Sequence, residues 1–150
     1  MDEETARRAA AAMERADEAA RAAGVRLVDV GPGRARTALT VEARHLNGHG
    51  ICHGGYVFLL ADAAFAYACN SYGISAVAAG ADIDFLRPVA LGAELLAEAV
   101  ERARAGRSGL YDVSVRVAGE VVAELRGRAR QVPGLPGPLT GELPTTIGGR

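Results

Sequence analysis

The chain contains no lysine: all 17 basic residues among its 150 are arginine. That excludes Schiff-base chemistry and a phosphate-cradling loop with its obligate lysine. Cysteine is scarce as well. Cys52 and Cys69 do not make a disulfide framework, and a reduced, cytoplasmic setting is expected for them. No apolar run reaches membrane-spanning length. The start, Met1-Asp-Glu-Glu, lacks the apolar centre of a secretory signal. With 17 basic and 18 acidic residues the net charge is −1, so neither nucleic acid nor membrane is an expected partner. The length suits one domain whose core needs no metal or disulfide staple.

Hydrophobic spacing gives the organisation. Ala6, Ala9, Ala10, Met13, Ala16, Ala20 and Ala23 recur at three- and four-residue intervals, which predicts a helix over 2–23 that stops at Gly24. Strands are expected near 25–30 and 35–43, joined by a turn at Gly31-Pro32-Gly33. In the second, Thr37, Leu39 and Val41 alternate with Arg36, Thr40 and Glu42. A helix over roughly 54–71 is apolar all the way round, so it is expected to be buried on most sides. Four strands follow, near 74–86, 94–104, 110–117 and 120–131. Tyr111, Val113, Val115 and Val117 face one way and Asp112, Ser114 and Arg116 the other; Val121, Ala123 and Leu125 repeat this against Glu124, Arg126 and Arg128. Turns fall at Pro88–Gly92, Gly106–Gly109 and Ala118-Gly119. One buried helix followed by an antiparallel meander predicts an α+β domain, a curved sheet wrapped about a central helix with an added N-terminal helix, over 1–131. Four of the six prolines and five glycines lie beyond Val132, which reads as a flexible tail over 132–150.

All three histidines fall in His45-Leu-Asn-Gly-His-Gly-Ile-Cys-His-Gly-Gly55, which runs into a helix with one lone acid, Asp62. The first amides of a helix attract developing negative charge, and glycines let a backbone approach a ligand. Gly54-Gly55 therefore reads as an oxyanion-stabilising start, a tight turn needing positive φ, or both. Asp62 has Phe58, Leu59, Phe65 and Ala66 as helical neighbours, and an isolated carboxylate among them points to function as acid or base. Gly55 and Asp62 share a helix face but stand roughly 10 Å apart along the axis. A water attacking a carbonyl needs both groups at about 3 Å. One helix cannot supply both, whereas two antiparallel copies can, so a dimer with shared sites is expected.

His45, His49, Cys52 and His53 are all zinc-ligand types, but a single compact cluster is not the separated spacing of a structural site, and no metal is expected. Cys52 beside His53 is not read as a nucleophilic dyad. His53 either caps the loop or polarises a substrate oxygen. Asn47 is expected to fix the loop through side-chain to backbone bonds, with direct substrate contact as the alternative. Phe58, with Tyr56, Tyr67 and Phe85, either lines an aromatic acyl pocket or is ordinary core. Arg87, before Pro88, and Arg104, Arg107 and Ser108 lie at strand ends, where an arginine is either merely solvated, as most surface arginines are, or grips a phosphate; Arg107 is the best placed for an anionic carrier.

Three runs carry a resemblance: Asn47-Gly-His-Gly-Ile-Cys-His-Gly-Gly55, then Phe58-Leu-Leu-Ala-Asp62-Ala-Ala-Phe-Ala-Tyr-Ala-Cys-Asn70, and later Asp82-Ile-Asp-Phe-Leu-Arg-Pro88. Together with Gly109-Leu-Tyr-Asp-Val113 they resemble the PaaI-type acyl-CoA thioesterases of the hotdog fold over roughly 5–131. The resemblance implies dimers whose sheets join edge to edge, commonly paired into tetramers, that hydrolyse an aryl- or acyl-CoA thioester without a cofactor. It implies that Gly55 offers its N–H to the thioester oxygen and that Asp62 of the partner subunit activates water or attacks. Asn47 and His53 would shape the site, and Gly54, Phe58, Arg87, Arg104, Arg107 and Ser108 would meet acyl group or CoA. A hydratase or dehydratase of acyl thioesters and a non-catalytic acyl-CoA-binding module are the competing functions.

Overall fold

A computed structural model describes residues 2–141. Helices α1 (Glu3–Ala16) and α2 (Glu18–Ala23) precede strands β1 (Arg26–Gly31) and β2 (Arg34–Thr40), a 3-10 turn at Ala43–His45, and the long helix α3 (Gly54–Cys69). Strands β3 (Ala76–Phe85), β4 (Glu94–Ala105), β5 (Ser108–Val117) and β6 (Glu120–Gln131) complete the domain. The strands form one antiparallel sheet in the order β1-β2-β4-β5-β6-β3. Helix α3 touches all six strands, so the sheet curls about it, helped by bulges in β1, β3, β4 and between β5 and β6. This is the expected architecture.

The core is built where α3 meets the sheet. Leu60, Ala61, Ala64, Phe65 and Ala68 are fully buried against Leu39, Leu95, Val113, Val115 and Leu125. Phe65 meets Tyr111 edge-on, 5.5 Å between ring centroids. It also packs on the bare backbone of Gly127, where a Cβ would stand 2.8 Å from the ring. A buried ring of this size contributes about 2–3 kcal/mol through its removal from water. The outer face is polar. There Arg36 pairs with Glu98, Arg128 with Asp82, and Asp112 with both Arg102 and Arg126.

The predicted helix over 2–23 is in fact two. The side chain of Asp17 accepts the Ala20 N–H at 2.9 Å and caps α2, while its own N–H closes α1 on the Met13 carbonyl. A mid-helix aspartate competes with the backbone in this way. Helix α2 ends on Gly24, left-handed at φ 85°. Strand β2 stops at Thr40 rather than at 43, because Glu42–His45 turns into the 3-10 helix, closed by a capping box. Val122 is buried and Val121 only half-buried, the reverse of the predicted face; the β5–β6 bulge between Val115 and Arg116 admits one extra residue there. Val132 is tied by its N–H to the Ser75 carbonyl. Of the predicted tail, residues 142–150 lie outside the described residues.

Candidate active site

The loop before α3 is held by its own backbone and by Asn47. Asn47 Oδ1 accepts the N–H groups of His49 (2.9 Å) and Ile51 (3.3 Å), as its residue type suggested. The Cys52 N–H donates to Val89 O, and the His53 N–H donates to His45 O, both at 2.8 Å. The chain then enters α3 through His53, the N-cap.

The capping pattern decides which amide is free. His53 Nδ1 accepts the Gly55 N–H at 2.9 Å, and His53 O accepts those of Tyr56 (3.0 Å) and Val57 (3.3 Å). The remaining first-turn amide, Gly54, has no partner among the described residues. Gly55, read from the sequence as the oxyanion donor, is therefore engaged by its own cap. Of the two roles left open for His53, capping is the one seen. Nor do the glycines need positive φ; the left-handed residue of this loop is Gly50, at φ 76°. Gly54 is closely approached: a Cβ on it would stand 3.2 Å from the Phe85 ring.

Gly54 opens onto a cleft of about 340 Å³ lined by Asn47, Ile51, Cys52, Val57, Phe85 and Val122, with Arg87 and Pro88 among its walls. Phe85 is 54% exposed, a large ring held at the end of the edge strand beside the free amide. Cys52 stays a thiol, since burial pushes its pKa up. Ile51, Val57, Leu86 and Val122 went unnoticed in the sequence; they come from four separate segments, and no spacing links them.

Asp62 lies two turns along α3, half-buried, with no hydrogen-bond or ion-pair partner among the described residues. Burial raises its pKa, and the charge of Asp17 raises it further. That combination makes a stronger base than an ordinary surface carboxylate. Phe58, half-buried on α3, does not line the cleft, and Tyr56 packs edge-on against His45, 4.8 Å between centroids.

The four side chains of zinc-ligand type do not converge. His45 is buried and His49 exposed at the loop tip, and no group of three such side chains assembles among the described residues. The arginines divide. Arg87 stands at the cleft, its Nε 2.5 Å from Glu120 and its guanidinium also donating to Val121 O. Arg104, which stacks on Tyr72 and pairs with Glu101, lies with Arg107 and Ser108 at the other end of the sheet. A ten-residue strand puts those ends about 30 Å apart.

A free helix-start amide in an apolar cleft, on a sheet curled about that helix, is the arrangement of a thioester-binding hotdog domain. The chain belongs to the thioesterase superfamily, whose family model matches residues 49–124, and within it to the PaaI-type acyl-CoA thioesterases. It is 44% identical over 132 residues to acyl-coenzyme A thioesterase PaaI of Escherichia coli K12, covering 87% of this chain and 92% of that protein. The solved structure of E. coli PaaI matches at a TM-score of 0.86 and 42% identity, over 88% of this chain and 96% of that one. A point variant of the phenylacetic acid degradation protein PaaI from Thermus thermophilus matches at 0.75 and 39%, over 77% and 100%. A Streptococcus mutans protein solved with acetyl CoA matches at 0.70 and 25%, over 73% and 89%.

Proposed function

We propose that this chain hydrolyses aryl- or small acyl-CoA thioesters, phenylacetyl-CoA and its hydroxylated relatives among them, in the cytoplasm and without a cofactor. The observation that carries the reading is the N–H of Gly54, unpartnered among the described residues, at a residue that lines an apolar cleft with an arginine in its wall. The thioester oxygen accepts that hydrogen bond, and its developing charge is stabilised there and by the helix start. The apolar walls take the chain on either side of the thioester, and Arg87 meets a CoA phosphate.

Gly54 and Asp62 are about 12 Å apart along one helix, so the base comes from a second copy. β3 is an edge strand whose outer side has no partner among the described residues, and two such edges pair across a two-fold axis. Asp62 of the partner subunit then takes a proton from water as the water oxygen bonds to the carbonyl carbon. Collapse breaks the C–S bond, Asp62 passes its proton to the departing sulfur, and CoA leaves as the thiol with the acid as co-product. In the other course open to Asp62, its carboxylate attacks the carbonyl carbon and expels the CoA thiolate, and water then cleaves the mixed anhydride, freeing the acid, restoring the carboxylate and releasing a proton that the thiolate takes up. Two such dimers assemble into a tetramer. The similarity to E. coli PaaI supports the substrate class, and the acetyl CoA-bound relative supports a CoA site on this fold.

The test is CoA release, read with a thiol reagent, over acetyl-, phenylacetyl-, benzoyl- and palmitoyl-CoA, wild type beside Asp62→Asn. Turnover of the aryl thioesters that is lost in the folded variant is expected. Binding without turnover by the wild type would leave a binding module, and crotonyl-CoA hydration would leave a hydratase.

A further inference from the structure

His45 is fully buried, yet nothing in the proposed reaction uses it. Its Nδ1 accepts the Glu42 N–H at 2.9 Å, so the ring proton sits on Nε2, 2.7 Å from Ala23 O, and donates to it. Ala23 closes α2, and its carbonyl is one of the helix-end acceptors that need a donor from outside. The neighbouring Ala22 carbonyl is met by the Arg44 guanidinium. The 3-10 turn thus caps the end of the N-terminal arm with two successive side chains.

The same residue reaches the active site through its backbone. His45 O accepts the His53 N–H at 2.8 Å, and His53 Nδ1 holds the Gly55 N–H at 2.9 Å. The His45 ring also meets Tyr56, in the first turn of α3, edge-on. The bonds run in series: Ala23 carbonyl, His45 ring, His45 carbonyl, His53, Gly55. The unpaired amide of Gly54 lies between the last two. An apolar side chain could fill the same space without the cost of burying an imidazole. What histidine adds is two directional bonds at fixed separation, one to Glu42 and one to the arm.

We propose that His45 is a positioning residue that ties the α1–α2 arm to the turn presenting the Gly54 amide, so that arm docking sets the aim of the oxyanion donor. Its catalytic consequence rests on the reading that Gly54 holds the thioester oxygen. The arm is then part of the site's scaffold rather than an appendage.

Two substitutions separate the bonds. In His45→Asn the side-chain oxygen reaches Glu42 N–H, as Nδ1 does, but nothing reaches Ala23. In His45→Gln the terminal amide reaches Ala23 and the Nδ1 acceptor is lost. Because a donor shifted by about 1 Å costs up to about a hundredfold, His45→Asn is expected to lower kcat by about tenfold or more. KM should stay within about threefold, since the oxyanion contact matures in the transition state. His45→Gln is expected to recover most of kcat. The Gly54 and Gly55 amide resonances should move in His45→Asn and stay near wild type in His45→Gln. Equal kcat in wild type and His45→Asn, equal losses in both variants, or unmoved glycine resonances would each overturn the proposal. Should His45→Asn not fold, the ¹⁵N imidazole spectrum of the wild type decides: an Nε2–H tautomer protected from exchange supports the tie, an Nδ1–H tautomer refutes it. A wild type without thioesterase activity sinks the proposed function alone, because the amide and tautomer readouts need no turnover.

Discussion

His53 Nδ1 takes the Gly55 N–H at 2.9 Å and leaves the amide of Gly54, one residue earlier at the wall of the cleft, without a partner among the described residues. The N-cap that begins the helix also decides which first-turn amide is left free. Side-chain caps ordinarily satisfy the amides two or three positions on, so the first helical amide is left for a ligand.

This selection predicts different outcomes for the two glycines. Gly54→Ala pushes a methyl group toward the Phe85 ring, 3.2 Å away, and that exposed ring must swing into the cleft. Neither glycine has positive φ, so the backbone tolerates alanine and stability should change by about 1 kcal/mol or less. Activity should fall by about tenfold or more in Gly54→Ala. In Gly55→Ala the methyl group meets His53, 3.1 Å from Nδ1, and the effect should be smaller. Steady-state kinetics beside thermal melts of both variants check this; a larger loss in Gly55→Ala would restore Gly55 as the donor.

Asp62 should show its burial in both stability and rate. Its pKa is raised above the ordinary 3.8 by burial first and Asp17 second. The folded protein therefore binds this proton more tightly than the unfolded chain does. The contribution of Asp62 to stability is greatest below pH 3.8 and is lost as pH rises through the raised value. Asp62→Asn should consequently melt higher than wild type at about pH 7.5, with the gap narrowing in acid, while turnover falls by about a hundredfold or more. Asp17→Asn keeps the cap on Ala20 but removes a charge that raises Asp62. The acid limb of its pH–rate profile should move to lower pH; an unmoved limb would mean that the two carboxylates do not interact.

The elements were legible in sequence because burial here follows simple periods. The continuous apolar run of α3 predicted burial, and nine of its sixteen residues are buried. Strict alternation in β5 placed Tyr111, Val113 and Val115 inside. Pattern failed where a local bond or an extra residue overrides it. Asp17 breaks a stripe of alanines that fits one helix, and a bulge moves Val122 to the inner face. At the site, composition named the loop and the acid. It could not tell Gly54 from Gly55, because that choice depends on the rotamer of one histidine. It placed Arg87, Arg104, Arg107 and Ser108 at strand ends without telling the ends apart: strand direction sends Arg87 to one end and Arg104, Arg107 and Ser108 to the other.

Glu101 offers a test of what holds that other end together. It accepts the hydroxyls of Tyr72 at 2.8 Å and Tyr111 at 2.9 Å and pairs with Arg104 at 3.0 Å. This joins β4, β5 and the segment after α3. Burial pushes the Tyr111 pKa up, and the Glu101 bond adds to that, so the phenol stays protonated and donating. Glu101→Ala leaves the buried Tyr111 hydroxyl without its acceptor, at a cost of about 1–3 kcal/mol. Urea denaturation should show a lower midpoint with an unchanged slope. The cleft of the same chain lies at the opposite end, so the folded fraction should keep its turnover of a phosphate-free N-acetylcysteamine thioester, which makes no demand on the arginines beside Glu101.

The split arginines test the assembly itself. In one chain, Arg107 is about 30 Å from the cleft that holds Arg87. If two β3 edges pair antiparallel as proposed, one sheet is reversed against the other and the Arg107 end of each comes toward the cleft of its mate. Arg87→Ala should raise KM for phenylacetyl-CoA by about three- to tenfold, an effect that shrinks with added salt. It should leave the phosphate-free phenylacetyl N-acetylcysteamine thioester untouched. Arg107→Ala should behave in the same way if the far end of the mate reaches the phosphates. A KM that responds to Arg87→Ala but not to Arg107→Ala would remove Arg107 from the CoA site and leave phosphate binding to the cleft's own chain.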